Sequence, residues 1–234
     1  MARIVWITGA GKGLGRALAL LLAGRGDVVA ASARTASDLA TLQAEAAGGR
    51  FAAYPLDTTD ERATLEIVET IERELGPIDQ AVLNAGTHLP VAADALATEP
   101  FRRLVETNLM GTVNGLAALA PRMVARRRGR IAVVASVAGY RGLPSASAYG
   151  ATKAGLINMA EALRPDLMRH GVVLQVINPG FVRTPLTDRN DFPMPFLVEA
   201  EDAARRIAAG LATDRFEIAF PRRFVLMLKL LRLL

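Results

Sequence analysis

Seven short apolar runs alternate with longer amphipathic stretches along the whole chain, and this alternation limits the possible folds more than any other feature. The runs cover residues 3–8, 27–32, 50–55, 80–84, 129–136, 172–178 and 217–220. Those rich in Val and Ile lack polar alternation, the pattern of strands buried on both faces of a parallel sheet. Helical periodicity fills the gaps at about 13–24, 36–47, 60–75, 98–127, 149–169 and 199–213. Strand and helix in strict succession predict a single-domain α/β fold, a doubly wound parallel sheet of about seven strands with helices on both faces. No repeat or low-complexity linker divides the 234 residues, a length ordinary for one such domain.

Composition removes several chemistries. With no cysteine and two histidines, the chain offers no disulfide framework, no thiolate nucleophile and poor material for a zinc site, so no metal is expected. The net charge of +5 raises the question of nucleic acid, but the most basic run, Arg126-Arg127-Arg128-Gly129-Arg130, has no interleaved aromatics and sits between a helix and a strand pattern. A solvated helix end is the expectation, with no nucleic acid. The start, Met1 to Trp6, runs straight into a glycine loop, so no signal peptide is expected. No apolar run approaches the ~20 residues of a spanning helix, so a cytoplasmic location is expected.

The loop lies in "WITGAGKGLGRALA", residues 6–19, where Gly9, Gly13 and Gly15 follow T-G-x-x-x-G-x-G rather than G-x-G-x-x-G. In a doubly wound sheet this turn abuts the next helix's N-terminus, where unpaired N–H groups favour an anion and glycine lets backbone approach it. A phosphate belongs there, although packing alone also explains glycines in such a turn.

Thr8-Gly9-Ala10-Gly11-Lys12-Gly13-Leu14-Gly15 resembles the cofactor loop of the short-chain dehydrogenase/reductase family. Further landmarks follow in family order: Asp57, Asn84-Ala85-Gly86, Asn108, Ser136, Tyr149-Gly150-Ala151-Thr152-Lys153, and Pro179-Gly180 with Thr184. The resemblance covers residues 1 to about 215. It implies a Rossmann fold with a nicotinamide dinucleotide on the glycine loop (Gly9, Gly11, Lys12, Gly13, Leu14, Gly15). It further implies Asp57 at the adenine, Asn84, Ala85 and Gly86 shaping the sheet end, and Pro179, Gly180, Val182 and Thr184 covering the nicotinamide. For Asp57 an N-cap reading competes, although Thr58, Thr59 and Asp60 are also good caps.

Charge points to the kind of dinucleotide. Where NAD sites commonly carry an acid at the end of the second strand, "DVVAASART" has Ala33 followed by Arg34. Ser32 adds a hydroxyl, and Lys12 reaches toward the same place. The expectation is NADP(H) over NAD(H), the alternative being that Arg34 and Lys12 are solvated cations.

Tyr149 and Lys153 are four apart, on one face of a helix. Hydride transfer to a carbonyl leaves an oxygen that needs a proton, and a free tyrosine titrates too high, near ~10, to exchange it easily. A nearby ammonium favours the phenolate and lowers that value. Ser136 closes its strand at the ligand-bearing edge, where it can hydrogen-bond the developing oxyanion. The resemblance assigns Asn108 a water that relays protons to Lys153. The sequence therefore predicts an enzyme interconverting a carbonyl and an alcohol, the rival being a silent dinucleotide sensor. His88 and His170 lie in no motif and read as surface or loop residues.

Three prolines in "PLTDRNDFPMPFLVEA" suggest a mobile lid, and Leu143, Pro144, Leu186, Met194 and Phe196 either make an apolar substrate pocket or pack the lid on the scaffold. Residues 1–221 form the domain, and residues 222–234, "RRFVLMLKLLRLL", form a tail. Arg222, Lys229 and Arg232 fall near one side of its helical wheel and apolar residues fill most of the rest. Packing in a homodimer or homotetramer is the first expectation, helped by the apolar helix at 149–169, and contact with a membrane surface is the alternative.

Overall fold

The computed structural model of the chain describes residues 2–46, 48–189 and 192–231. Ala47, at the end of one expected helix, and Arg232, on the tail's basic side, lie outside the described residues. All seven apolar runs form strands: β1 (Ile4–Thr8), β2 (Val28–Ala33), β3 (Phe51–Pro55), β4 (Gln80–Leu83), β5 (Gly129–Val134), β6 (Val172–Pro179) and β7 (Glu217–Phe220). They pair in parallel in one sheet of order β3-β2-β1-β4-β5-β6-β7. Chain order reverses between β1 and β4, so a crevice opens beyond their carboxyl ends, where such sheets bind ligands.

The strands lack polar alternation because both faces are covered; β1 is buried at all five positions. On one face Trp6, Ala30, Leu83, Val133 and Val176 meet Val68 and Ile71 of α3 (Glu61–Glu74), Leu119 and Met123 of α5 (Gly111–Ala125) and Leu156 of α6 (Ser147–Arg169). On the other, Val5, Ile7, Val29, Val82 and Ile177 meet Leu18 and Leu22 of α1 (Gly13–Gly24), Leu39 and Leu42 of α2 (Ala36–Glu45) and Ile207 of α7 (Ala200–Leu211).

The expected helix at 98–127 is not uniform. It begins as α4 (Thr98–Leu104), widens into a π turn over Val105–Met110 and resumes as α5. Such widened turns concentrate at functional sites. Here the turn contains Asn108, whose amide is held by residues outside the helix.

The basic run is absorbed at the amino ends of the strands, opposite the crevice. Arg126 bonds Glu72 at 2.6 Å, Arg128 bonds Asp79 at 2.9 Å and Arg130 bonds Asp214 at 2.6 Å. The tail forms α8 (Arg222–Leu231), with Phe224 and Leu228 buried on the domain and Lys229 paired with Glu217. Its other face leaves Leu226, Met227, Leu230 and Leu231 exposed.

Candidate active site

The glycine loop is tied to the end of β4. Thr8 Oγ1 accepts from the N–H groups of Asn84 and Ala85, at 2.9 and 3.0 Å, and Asn84 Nδ2 donates to the carbonyls of Thr8 and Gly9, at 3.0 and 3.2 Å. The close approach leaves no room at Gly15, where a Cβ would sit 2.3 Å from the Gly9 carbonyl oxygen. α1 starts just beyond, with Lys12 as an N-cap residue whose side chain makes no capping bond and with no acid in the first turn. Its first N–H groups are therefore left for an anion.

These residues line a cleft of about 520 Å³ along the carboxyl ends of the strands. Of the sequence-predicted residues, the cleft gathers Gly9, Gly11, Lys12, Gly13, Leu14, Gly15, Arg34, Asp57, Asn84, Ala85, Gly86, Ser136, Tyr149, Lys153, Pro179, Gly180, Val182 and Thr184. Ser32 is the correction. Along β2 the side chains alternate, and Ser32 faces the same side as Ala30, where its Oγ accepts from Trp6 Nε1 at 3.0 Å and only 1% of it is exposed. Its hydroxyl is spent in the core. Asp57 Oδ1 accepts from Thr59 N–H at 3.0 Å, while Asp60 caps α3 through Ala63 N–H at 2.9 Å. Arg34 is exposed and, among the described residues, has no ion-pair partner.

At the other end of the cleft, α6 presents Tyr149 and Lys153, with Lys153 Nζ 5.5 Å from the tyrosine ring centre. Lys153 is buried and donates to the Val134 carbonyl at 2.8 Å. Burial brings its pKa down to about 8. Ser136 follows β5, and its Oγ accepts from Ala138 N–H at 3.1 Å and donates to the Pro179 carbonyl at 3.5 Å. The Tyr149 phenol stands above its ordinary value, because desolvation outweighs the lowering by the nearby Ser136 hydroxyl. That reverses the direction expected from the sequence. Lys153 is turned to a backbone carbonyl, and burial dominates.

Asn108 does not sit on the cleft wall. Its Oδ1 accepts from Thr87 N–H at 2.7 Å, and its Nδ2 donates to Thr87 O at 2.9 Å and Thr152 Oγ1 at 3.2 Å. The side chain thereby fastens the loop after Gly86 to α6. A Cβ on Gly86 would stand 3.2 Å from Asn108 Oδ1 and 3.6 Å from Lys153 Nζ, so glycine keeps this passage open.

The family model described as short chain dehydrogenase matches residues 3–192. The chain belongs to the short-chain dehydrogenase family. This short-chain dehydrogenase is 42% identical over 221 residues to an uncharacterized oxidoreductase of Myxococcus xanthus, covering 94% of this chain and 87% of that one. It is 33% identical to a 3-oxoacyl-[acyl-carrier-protein] reductase of Thermotoga maritima, over 80% of this chain and 77% of the relative. A solved structure of ElxO with NADP bound superposes with a TM-score of 0.84 at 25% identity, covering 94% of this chain and 98% of that one. The chain is thus an oxidoreductase with a nicotinamide dinucleotide cofactor. The uncapped first turn of α1 and the passage kept open by Gly86 fit such a group.

Two residues of the dehydrogenase's site escaped the sequence reading. His88 is in a loop as expected, but it is half-buried and packs edge-on against Tyr149, ring centres 4.9 Å apart. No spacing announces it. Asp38 reads as an ordinary first-turn acid of α2, yet it lines the cleft and pairs with Lys12 at 3.2 Å. Among the described residues no group of three or more metal-ligating side chains converges, and no helix is long and apolar enough to cross a membrane.

Proposed function

We propose that the protein is an NADP(H)-dependent oxidoreductase interconverting a carbonyl and an alcohol, with Tyr149 as general acid and base. The observation that carries this reading is that Ser136, Tyr149 and Lys153 line the same cleft as the glycine loop. When bound, the reduced dinucleotide supplies a hydride to the carbonyl carbon. Ser136 Oγ donates to the carbonyl oxygen as negative charge grows there, and Tyr149 Oη releases its proton to that oxygen. In the reverse direction the phenolate takes the proton back. Lys153 binds the nicotinamide ribose hydroxyls and, as an ammonium, favours the phenolate left behind. Asn108 holds Thr87 and α6 together and keeps a proton-relaying water near Lys153. The first turn of α1 takes the pyrophosphate, Asp57 the adenine, and Val182 and Thr184 cover the nicotinamide. Loss of NADPH absorbance across a panel of ketones and aldehydes tests the activity; no turnover with any of them would count against it.

The NADP(H) preference rests on the absence of an acid at Ala33 and on the exposed Arg34 beside it, which has no ion-pair partner among the described residues. A guanidinium clamps a 2′-phosphate through paired N–H donors. Arg34→Ala is expected to weaken NADPH binding by roughly 10- to 100-fold, the worth of one charged hydrogen bond, and to leave NADH nearly unchanged. Ala33→Asp added to it should reverse the preference. Titration of both dinucleotides decides, and an unchanged ratio in the double variant would contradict the assignment.

Leu186 at the cleft suits an apolar carbonyl substrate. The exposed apolar face of α8 supports a homodimer or homotetramer, with an anionic membrane surface as the other candidate for that face, and a cytoplasmic site of action accords with both. Residues 222–234 would then act as an assembly tail on a domain of residues 1–221. Truncation after Pro221 should change the oligomer seen by light scattering while NADPH still binds. An unchanged oligomer would sink the subunit-packing role.

A further inference from the structure

We infer that Asp38 sets the balance between phosphorylated and unphosphorylated dinucleotides, by holding Lys12 away from a 2′-phosphate and by offering its carboxylate to a free 2′-hydroxyl. The inference rests on the NADP(H) reading above and refines it. Five residues beyond Ala33 in sequence, Asp38 is brought back to the end of β2 by the first turn of α2. A Cβ built on Gly11 would lie 2.9 Å from Asp38 Cβ and 3.2 Å from Ala33 Cβ, so the three positions enclose one corner of the cleft. The acid that the second strand lacks is supplied from the helix instead.

At that corner Asp38 Oδ2 stands 3.2 Å from Lys12 Nζ. The aspartate side chain is 24% exposed and the lysine side chain 66%, so the acid is the fixed partner and the lysine the movable one. Of the two cations facing a 2′-phosphate, Lys12 is thus neutralised and Arg34 is not. A phosphate arriving there must draw Lys12 from Asp38 and also sit near a second negative charge. The free ribose hydroxyls of NADH meet the opposite situation, because a carboxylate accepts hydrogen bonds from both. The same side chain therefore opposes one dinucleotide and favours the other, and it narrows the preference that Arg34 and Lys12 would otherwise give.

The backbone at Asp38 is held by bonds that do not involve its carboxylate. Its backbone carbonyl takes Arg16 Nη1 at 3.3 Å and Thr41 Oγ1 at 2.9 Å, and its N–H bonds the Thr35 carbonyl at 3.2 Å. Asp38→Asn keeps size and backbone and removes the charge. Calorimetric titration with NADPH, NADH, 2′,5′-ADP and 5′-AMP tests the proposal without any turnover. The variant should bind the two 2′-phosphorylated ligands about 3- to 10-fold more tightly and the other two about threefold more weakly, the scale of a partly exposed charge pair. Adding Lys12→Ala should shrink the gain to the part that comes from relieved carboxylate–phosphate repulsion. Unchanged affinities, all four ligands moving together, or a gain undiminished without Lys12 would each overturn it. The underlying reading fails separately, if the parent protein holds 2′,5′-ADP no better than 5′-AMP.

Discussion

Tyr149→Phe is expected to fold and bind NADPH like the parent protein and to turn over at least ~10²-fold more slowly, the lower end of general acid catalysis. The substitution removes one oxygen and keeps the ring that packs on His88 at 4.9 Å. Desolvation holds the phenol above its ordinary value near 10, so the proposed donor in carbonyl reduction carries its proton at neutral pH. Phenylalanine has none to give. NADPH titration and turnover on the same preparation separate the two effects, and near-normal turnover would remove Tyr149 from the acid role.

Lys153→Met should lose cofactor affinity and rate together. Loss of a charged hydrogen bond to the ribose corresponds to roughly 10- to 100-fold in affinity, and loss of the ammonium leaves the phenolate unsupported. The pH dependence carries a sign. Burial brings Lys153 from 10.5 to about 8, so between those values the unfolded chain holds a proton that the folded one has released. Stability of the parent therefore rises with pH across that window, and below about pH 8 the buried ammonium costs roughly 3 kcal/mol. With Lys153 acting as an ammonium, as proposed, kcat/KM for NADPH should fall as pH rises through about 8. The methionine variant should show neither the stability slope nor that falling limb. A variant with the parent's pH profile and cofactor affinity would exclude the proposed role.

The strands were legible because parallel strands covered on both faces read as short apolar runs bounded by turn signals, and all seven runs became strands, including Phe51–Pro55, which has no β-branched residue. The glycine loop, the end of β4 and the Tyr149–Lys153 pair were legible because their motifs, taken together and in order, resemble those of the short-chain dehydrogenase/reductase family; each alone is weak, and the fold brings them to one cleft. What escaped depends on contacts distant in sequence. The π turn is set where Asn108 meets Thr87 and Thr152, and no propensity of Val105–Met110 marks it. His88 gains its place from Tyr149, and Asp38 from the glycine loop. Ser32 is different, since period-two alternation sets it on the Trp6 face and the signal was there to use. The Tyr149 phenol shows the limit of charge reasoning by proximity: a lysine within reach in sequence bonds a carbonyl instead, and burial decides the direction.

Tyr149, Ser136 and Lys153 have the proposed role of serving a hydride transfer at the carboxyl end of the sheet. The most direct test of that role is the fate of the hydride itself. NADPH carrying deuterium at the transferable position of the nicotinamide is incubated with the best carbonyl compound found by absorbance screening, and the alcohol is analysed by mass spectrometry. One deuterium on the carbinol carbon, formed at least ~10²-fold more slowly by Tyr149→Phe, is the expected result. An alcohol without label, or equal labelling rates in the parent and the variant, would contradict it.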